Sequence, residues 1–453
     1  MFVALFALLA VRQLWVQVVQ GPSIAADPHN PRHAALAVGR GSILASDGTP
    51  LAVSHGATRV YPEGSLLAQT VGYADPRFGT AGLEDAFDGV LSAHAARNDP
   101  LTQLREIVGG SRGDPRGADV VTTIDLAVQR TLVADLSRYS RAAGVVLDPR
   151  TGAVLALASI PAYDPNRLDA HWSALLSDPA SPLLDRATSG LYPPGSTFKI
   201  VTASDALDAG VVTPQSRFTD AGGLRVGNFT IHNDEDEVTG TTDLGGAFAL
   251  SSNVDFAQIA LRIGVDRWYD YASRWGLGKS AEFDLPVEHD RIPARADASD
   301  GVLAQLGFGQ ASLLVTPLRM ALVGATIAHD GTTPRPYLVR RIAGSETALA
   351  TRPETLAQPI SAETAHAVRD LMVRAVAHGT GTAAQLPGVT VAGKTGTATN
   401  PHGRSHAWFV AFAPAQAPRV AVAIVVENVG YGGTYAAPIA RDVLRVALAR
   451  RRT

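Results

Sequence analysis

The stretch Pro193-Pro194-Gly195-Ser196-Thr197-Phe198-Lys199 decides how the rest of the chain is read. Two prolines and a glycine set a turn. The apolar residues that follow predict a helix over 198–210. Ser196 then falls in its first turn, with Lys199 three residues on and on the same face. A serine hydroxyl is a poor nucleophile until a base takes its proton. A lysine does that once desolvation or a neighbouring cation lowers its pKa. N–H groups at such a helix start also point at any oxyanion formed there. Alone the pattern is weak, because a helix N-cap followed by a surface lysine explains it equally well.

Two further elements give the turn a context. In Ala249-Leu250-Ser251-Ser252-Asn253-Val254-Asp255-Phe256, polar residues interrupt the stretch 245–263, which otherwise has the apolar periodicity of a helix. Ser251 suits a proton relay, and the Asn253 amide suits orienting a lysine and a substrate carbonyl. A plain loop between two helices is the bland alternative. Gly393-Lys394-Thr395-Gly396-Thr397 follows the apolar run Val389–Ala392 and is expected at the end of a strand. Its ammonium and hydroxyl suit a substrate carboxylate, and its small residues leave space for an extended peptide alongside. The chain has 39 Lys plus Arg, of which only Lys199, Lys279 and Lys394 are lysines. Two of these three fall in the elements just described. Arginine keeps its proton in a protein, whereas a desolvated lysine can lose it. Each element is ambiguous alone; the ordered set is specific.

The 453 residues suffice for two or three domains. A composition of 46% hydrophobic and 18% charged residues is that of a globular chain with a large core. The formal net charge of −3 gives no reason to expect nucleic-acid binding. Absence of cysteine excludes disulfides, thiolate nucleophiles and thiolate metal sites, and it is compatible with an oxidising compartment. Met1–Val19 is apolar apart from Arg12, Gln13 and Gln17. It is expected to be a membrane anchor, slightly short of the ~20 residues of a full span. No small-residue cleavage signature follows it. A buried N-terminal helix is the alternative.

Residues 21–118 are rich in Gly, Pro and Asp and predict short strands and loops, with linker-like composition over 109–118. From about residue 119 the pattern is regular. Ala143–Asp148 and Ala153–Ala158 predict a hairpin. Helices are expected over 362–377 and 436–450, and strands over 389–392, 407–412 and 419–426. Strands at both ends with helices between predict one sheet that joins the two ends of this segment.

Three motif matches are set aside. Gly388–Thr395 fits the P-loop pattern G-x-x-x-x-G-K-T, but its intervening residues read as strand, and Gly396–Gly403 is a poor helix start. Gly109-Gly110-Ser111-Arg112-Gly113 fits G-x-S-x-G but runs into a turn, not a helix. His232, Asp234, Glu235 and Asp236 lack metal-ligand spacing and read as a solvated loop that shapes the rim of a site.

With S-x-x-K, S-x-N and K-T-G in order, the chain resembles a class B penicillin-binding protein. The likeness extends over Arg40-Gly41 with Asp47-Gly48, Gly82-Leu83-Glu84, Thr123-Ile124-Asp125 with Gln129, Gly307–Gln310, Thr316-Pro317 and Pro336-Tyr337. The short N-terminal part is most similar to actinobacterial A-type members of that family. The resemblance implies an α+β fold. A C-terminal transpeptidase domain of the penicillin-binding and serine β-lactamase type would span 119–453. It would hold a central, mainly antiparallel sheet flanked by helices and an all-helical subdomain. A smaller, elongated, β-rich, non-catalytic domain of dimerisation or pedestal type would span 21–118, and an anchor 1–20.

The resemblance also implies roles. Ser196 would be acylated and Lys199 would be its base. Ser251 and Asn253 would complete the proton network. Lys394 and Thr395 would bind the terminal carboxylate of the donor, with Gly396 and Thr397 extending that wall. The N–H groups of Ser196 and Thr397 would form the oxyanion hole. The implied activity is serine-type D-Ala-D-Ala transpeptidation on peptidoglycan stem peptides, with covalent trapping by β-lactam antibiotics. A D,D-carboxypeptidase, a β-lactamase or a β-lactam sensor of the same fold is the alternative. No metal or organic cofactor is implied. The implied setting is a single-pass membrane protein with an extracytoplasmic catalytic domain and a membrane-embedded glycan polymerase as partner.

Overall fold

The computed structural model describes Arg12 and residues 39–56, 58–92, 116–344, 350–400 and 403–450. Apart from Arg12, the expected anchor over 1–20 lies outside the described residues, as does the G-x-S-x-G match at 109–113. Among the described residues no helix is long and apolar enough to cross a membrane. The chain forms two compact units. The first draws on Met1–Thr122, Asp164–Leu168 and Arg341–Ala350; the second draws on Thr123–Tyr163, Asp169–Arg340 and Thr351–Thr453.

In the first unit the strands are short, as expected. Ile43–Leu44 pairs antiparallel with Pro50–His55 and parallel with Asp119–Thr122. A second hairpin joins Tyr73–Asp75 to Gly79–Ala81. Beside it lies Gly82–Ala86, the helix that carries Glu84.

The second unit is built on five strands: β1 (Ala142–Leu147), β2 (Val154–Ile160), β3 (Ala392–Ala398), β4 (His406–Ala413) and β5 (Val420–Val426). Their order is β3-β4-β5-β1-β2, with every neighbour antiparallel. The two ends of the segment therefore meet where β5 pairs with β1. In chain order the helices used below are α1 (Leu126–Leu136), α2 (Lys199–Asp208), α3 (Leu244–Leu250), α4 (Asn253–Ile263), α5 (Pro317–Ala328), α6 (Ala362–His378) and α7 (Gly432–Arg450).

The central strands read as unbroken apolar runs because both faces of the sheet are covered. Side chains alternate between faces along β4. Phe409 joins α1 and α7 in one core, with Leu132, Val443 and Leu444. Val410 faces α5, all twelve residues of which are buried. Fully burying one large apolar side chain contributes roughly 1.5–3 kcal/mol. The many that do so here make the sheet a rigid floor for β3, its edge strand.

Several of the family-like motifs are structural. Asp125 caps α1, its carboxylate accepting from the Ala127 N–H at 3.0 Å. Gln129 pairs with the β2 backbone through Leu157, donating at 3.0 Å and accepting at 2.9 Å. Thr316 caps α5 ahead of Pro317.

Three expectations need correction. The helix over 245–263 is two helices. Ser251 adopts a left-handed backbone (φ 64) that ends α3, and the Ser252 hydroxyl then caps α4 by accepting from the Asp255 N–H at 3.1 Å. The helix over 198–210 is α2 preceded by a 3-10 turn, Gly195–Phe198. Of the strand expected over 389–392, only Ala392 lies in β3. The K-T-G motif is therefore inside the strand and not at its end. Its backbone is laddered to β4 from Ala392 opposite Phe412 to Ala398 opposite His406.

Candidate active site

The 3-10 turn explains the first contact. Residues three apart eclipse one another in that geometry, so Lys199 stands directly over Ser196. Lys199 Nζ donates to Ser196 Oγ at 3.0 Å. The turn is held from outside: Gly195 N–H donates to the Gly309 carbonyl at 3.0 Å, and Trp408 Nε1 donates to the Pro193 carbonyl at 3.0 Å. Gly195 has φ +53, and a Cβ there would lie 2.8 Å from the Thr397 carbonyl oxygen. Glycine thus sets the turn conformation and lets β3 pass against it. Gly396 does the same from the strand side. A Cβ on it would meet Thr197 Cγ2 and Trp408 Cβ, both at 2.9 Å. The backbones of Ser196 and Thr397 are thereby neighbours.

The second element enters from the break between α3 and α4. The left-handed Ser251 turns both its polar groups toward the lysines. Its carbonyl accepts from Lys199 Nζ at 2.5 Å, and its hydroxyl lies 3.2 Å from that nitrogen. Lys394 Nζ donates to the same hydroxyl at 2.8 Å. Ser251 Oγ therefore bridges the two amines. Asn253 Oδ1 accepts from Lys199 Nζ at 2.8 Å. The structure brings Ser196, Lys199, Ser251, Asn253 and Lys394 into one network, with Thr395, Gly396 and Thr397 on the strand beside it. No residue named for the site from sequence lies elsewhere.

The electrostatics are unusual. Lys199 and Lys394 are both 0% exposed. Their hydrogen-bond partners are hydroxyls, carbonyls and an amide oxygen, not carboxylates. Aromatic rings lie near each ammonium, Phe256 at 5.5 Å from Lys199 and Phe248 at 5.6 Å from Lys394. Burial pushes the Lys199 amine well below the ordinary lysine range, and the charge of Lys394 pushes it further. Asp234 and Asp255 oppose that shift. Burial brings Lys394 down to about 7, against the opposing pull of Asp234.

Two residues absent from the sequence reading matter here. Asn233 Oδ1 accepts from the Asn253 N–H at 2.7 Å and the Val254 N–H at 3.2 Å. Its Nδ2 donates to Asp220 at 2.7 Å and to the Glu237 carbonyl at 2.8 Å. It ties the rim loop to the start of α4. Thr380 Oγ1 lies 2.5 Å from Thr395 Oγ1 and steadies that hydroxyl. No local pattern marks either residue. Asn233 sits in an acidic, polar run, and Thr380 follows a helix end.

The groove continues past Ser196 in both directions. One arm, about 370 Å³, is lined by Asn253, His232, Phe308, Gln310 and Thr399. The other, about 470 Å³, is lined by Ser251, Thr380, Thr395, Glu235 and Tyr431. Ser196 and Thr397 belong to both.

A buried serine beside a lysine driven toward its neutral form, at the edge strand of an antiparallel sheet, is chemically a serine-acylating arrangement. The chain belongs to the penicillin-binding protein family: residues 142–445 match the penicillin binding protein transpeptidase domain, and residues 40–120 match the penicillin binding protein A dimerisation domain. It is similar to the peptidoglycan D,D-transpeptidase PbpA of Mycolicibacterium smegmatis, 37% identical over 98% of this chain and 96% of that one. The corresponding protein of Mycobacterium tuberculosis is 36% identical over the same shares. In structure it is similar to penicillin-binding protein A of M. tuberculosis in its penicillin G acyl-enzyme complex, with a TM-score of 0.83 and 36% identity over 91% of this chain and 100% of that one.

Proposed function

We propose that this chain is a peptidoglycan D,D-transpeptidase whose Ser196 carries the acyl group. Neutral Lys199 takes the Ser196 proton as Oγ attacks the carbonyl of the penultimate D-alanine of a stem peptide. The N–H groups of Ser196 and Thr397 receive the oxyanion. The proton passes by way of Ser251 to the departing amine, and D-alanine leaves. Lys394 and Thr395 hold the terminal carboxylate. An amine from a neighbouring stem peptide then attacks the ester, the acyl carbon–Oγ bond breaks, and Oγ regains a proton. A β-lactam enters the first step and is retained as an ester.

The observation that carries this reading is the 3.0 Å contact between Ser196 Oγ and a buried Lys199 amine, itself joined to Lys394 through Ser251. Support for covalent β-lactam binding also comes from the M. tuberculosis relative, solved as penicillin G and ceftriaxone acyl-enzyme complexes. Labelling with a fluorescent penicillin tests it. The wild-type chain is expected to give a stable labelled adduct and Ser196→Ala none. Labelling that persists in Ser196→Ala, or an adduct that turns over within seconds, would overturn the reading.

The proposal extends to the cell. Residues 1–20 would anchor the chain in the membrane with residues 119–453 outside the cytoplasm, and residues 21–118 would serve as a non-catalytic domain facing a membrane-embedded glycan polymerase. The apolar run Met1–Val19 and the match of residues 40–120 to a dimerisation domain support this arrangement. Membrane fractionation, and co-purification with such a polymerase, would check it.

A further inference from the structure

The arm of the groove on the Lys394 and Thr395 side is bridged. Tyr431 Oη donates to Glu235 Oε1 at 2.6 Å. The two residues come from opposite banks and both line that arm. Tyr431 stands at the head of α7. Its neighbour Gly432 is packed so tightly on β3 that an added Cβ would lie 2.5 Å from the Gly396 carbonyl oxygen. The phenol is therefore carried by a fixed support, yet the side chain itself is 45% exposed. Glu235 lies on the rim loop, whose base is fixed by Asn233 to α4 and to Asp220. The tip of that loop is different. Glu235 and Asp236 are consecutive non-glycine residues in the left-handed region, each at φ 56, a conformation that L-residues disfavour. Something must hold such a tip in place. Within the loop the Asp236 N–H donates to the Asn233 carbonyl at 3.2 Å and the Glu237 N–H to the Asp234 carbonyl at 3.3 Å. The hydrogen bond from Tyr431 ties the tip to the other bank, at the surface, where water competes for it.

On the functional reading above, this arm is where the leaving D-alanine sits, because its carboxylate would be held by Lys394 and Thr395. The acceptor amine must come to the same place, since it attacks the ester carbon from the side that the leaving amine vacated. We infer that Tyr431 and Glu235 form a latch across the acceptor arm and so determine which nucleophile reaches the acyl-enzyme. Closed, the latch leaves space for a terminal D-alanine or the carboxylate of a β-lactam. Open, it admits a branched peptide. In either case the balance is the same. The amine nitrogen forms the new C–N bond, the Ser196 Oγ–carbon bond breaks, and a proton from the amine returns to Oγ. With water the new bond is C–O and a free acid is released.

The test uses the full chain, acylated with a D-Ala-D-Lac-type depsipeptide donor, in wild type, Tyr431→Phe and Glu235→Ala, each of which removes one partner of the Tyr431–Glu235 hydrogen bond. Fluorescent penicillin labelling counts the acylatable chain in each, so that transfer is scored per acylated molecule. With a stem-peptide amine as acceptor, the half-saturating concentration is expected to fall about fivefold in both variants, while glycine as a small acceptor shows no change. A locking variant gives the opposite sign. Glu235→Cys with Tyr431→Cys places the only two thiols in the chain across the arm. Bridging them with a bis-maleimide is expected to abolish transfer to the peptide amine per acylated molecule, while transfer to glycine continues. An acceptor dependence identical in wild type, both single variants and the bridged form would overturn the latch. Failure of wild type to label at all would instead overturn the reading of Ser196 on which the latch rests.

Discussion

Both units of the chain bury long cationic side chains, and the arginines of the first and the two site lysines of the second are treated in opposite ways. The buried Arg186 and Arg319 of the second unit are paired with Glu427 and Asp290, like those of the first. In the first unit Arg40 and Arg59 close on Glu84. Arg40 Nε donates to Glu84 Oε2 at 2.6 Å, its Nη2 to the Glu84 carbonyl at 2.6 Å, and its Nη1 to Asp88 at 2.5 Å. Arg59 Nε donates to Glu84 Oε1 at 2.6 Å. Glu84 is 0% exposed. Burial alone would lower the Arg40 pKa, but Glu84 and Asp88 outweigh it and the guanidinium is held more firmly charged. In the second unit Lys199 and Lys394 face hydroxyls, carbonyls and each other, and both fall below the ordinary lysine range. A guanidinium is locked into its charge and its fork geometry, so it serves structure. An ammonium with no carboxylate in hydrogen-bond contact is poised to lose its proton, so it suits chemistry.

The sharpest way to break this contrast is to exchange the roles. Lys199→Arg keeps a cation over Ser196 but removes the base proposed for it. Fluorescent penicillin labelling is expected to slow by roughly 10³-fold, within the range ascribed to general-base catalysis. Labelling at near wild-type rate would mean that Lys199 acts only as a charge. The reverse change belongs to the first unit. Glu84→Gln leaves two buried guanidiniums without their shared carboxylate, and breaking such a pair costs about 3 kcal/mol or more. Chemical denaturation should show that loss, and the pH dependence of labelling should stay where it was.

A smaller effect tests the coupling of the two lysines. The positive charge of Lys394 helps to depress Lys199. In Lys394→Met that charge is gone, so the acid limb of the labelling profile should move to higher pH, because Lys199 then holds its proton longer. The stability side carries its own sign. Folded Lys394 ionises at about 7, against 10.5 for an unperturbed lysine. Between those values the unfolded chain binds more protons than the folded one, so stability should rise with pH across that window. Lys394→Met should flatten that rise in denaturation midpoints measured from pH 7 to 10. An unmoved acid limb would show that the two amines titrate independently.

How much of this was legible in the sequence follows from how local each feature is. Ser196 and Lys199 are three residues apart, and one turn of any tight helix brings them together. The apolar runs of β1, β2 and β5 are buried on both faces, so composition alone marks them as core strands. Gly393–Thr397 reads as the end of a strand because the apolar run stops at Ala392. In the fold Gly396 is required where β3 crosses the Ser196 turn, and that demand comes from residues some two hundred positions away. The break at Ser251 is likewise tertiary. Its left-handed backbone brings its carbonyl and hydroxyl to two lysines, and neither lies near it in sequence. Asn233 is hidden for the same reason: its acidic neighbours read as a solvated rim loop, and nothing local singles out the amide that ties that loop to α4.

Asn233 is also where the smallest effect is expected, and where the contrast between structure and chemistry is finest. It carries no charge and lies outside the lysine network, yet it receives the N–H groups of Asn253 and Val254. Asn233→Ala removes that acceptor and one of the ties between this segment and Asp220, leaving those of Thr239 and Gly222. A single lost hydrogen-bond acceptor of this kind costs about 1–3 kcal/mol, so a modest fall in denaturation midpoint is expected whatever the residue does for catalysis. The informative readout is the labelling rate per folded molecule. Asn253 Oδ1 is one of the groups that aim Lys199 Nζ, and a 1 Å error in such aiming can cost up to 10²-fold in rate. Loosening one backbone support should cost a fraction of that, roughly three- to tenfold, with both limbs of the pH profile unmoved because no charge has changed. A lower midpoint with an unchanged rate would confine Asn233 to the scaffold, on the side of Arg40 and Glu84.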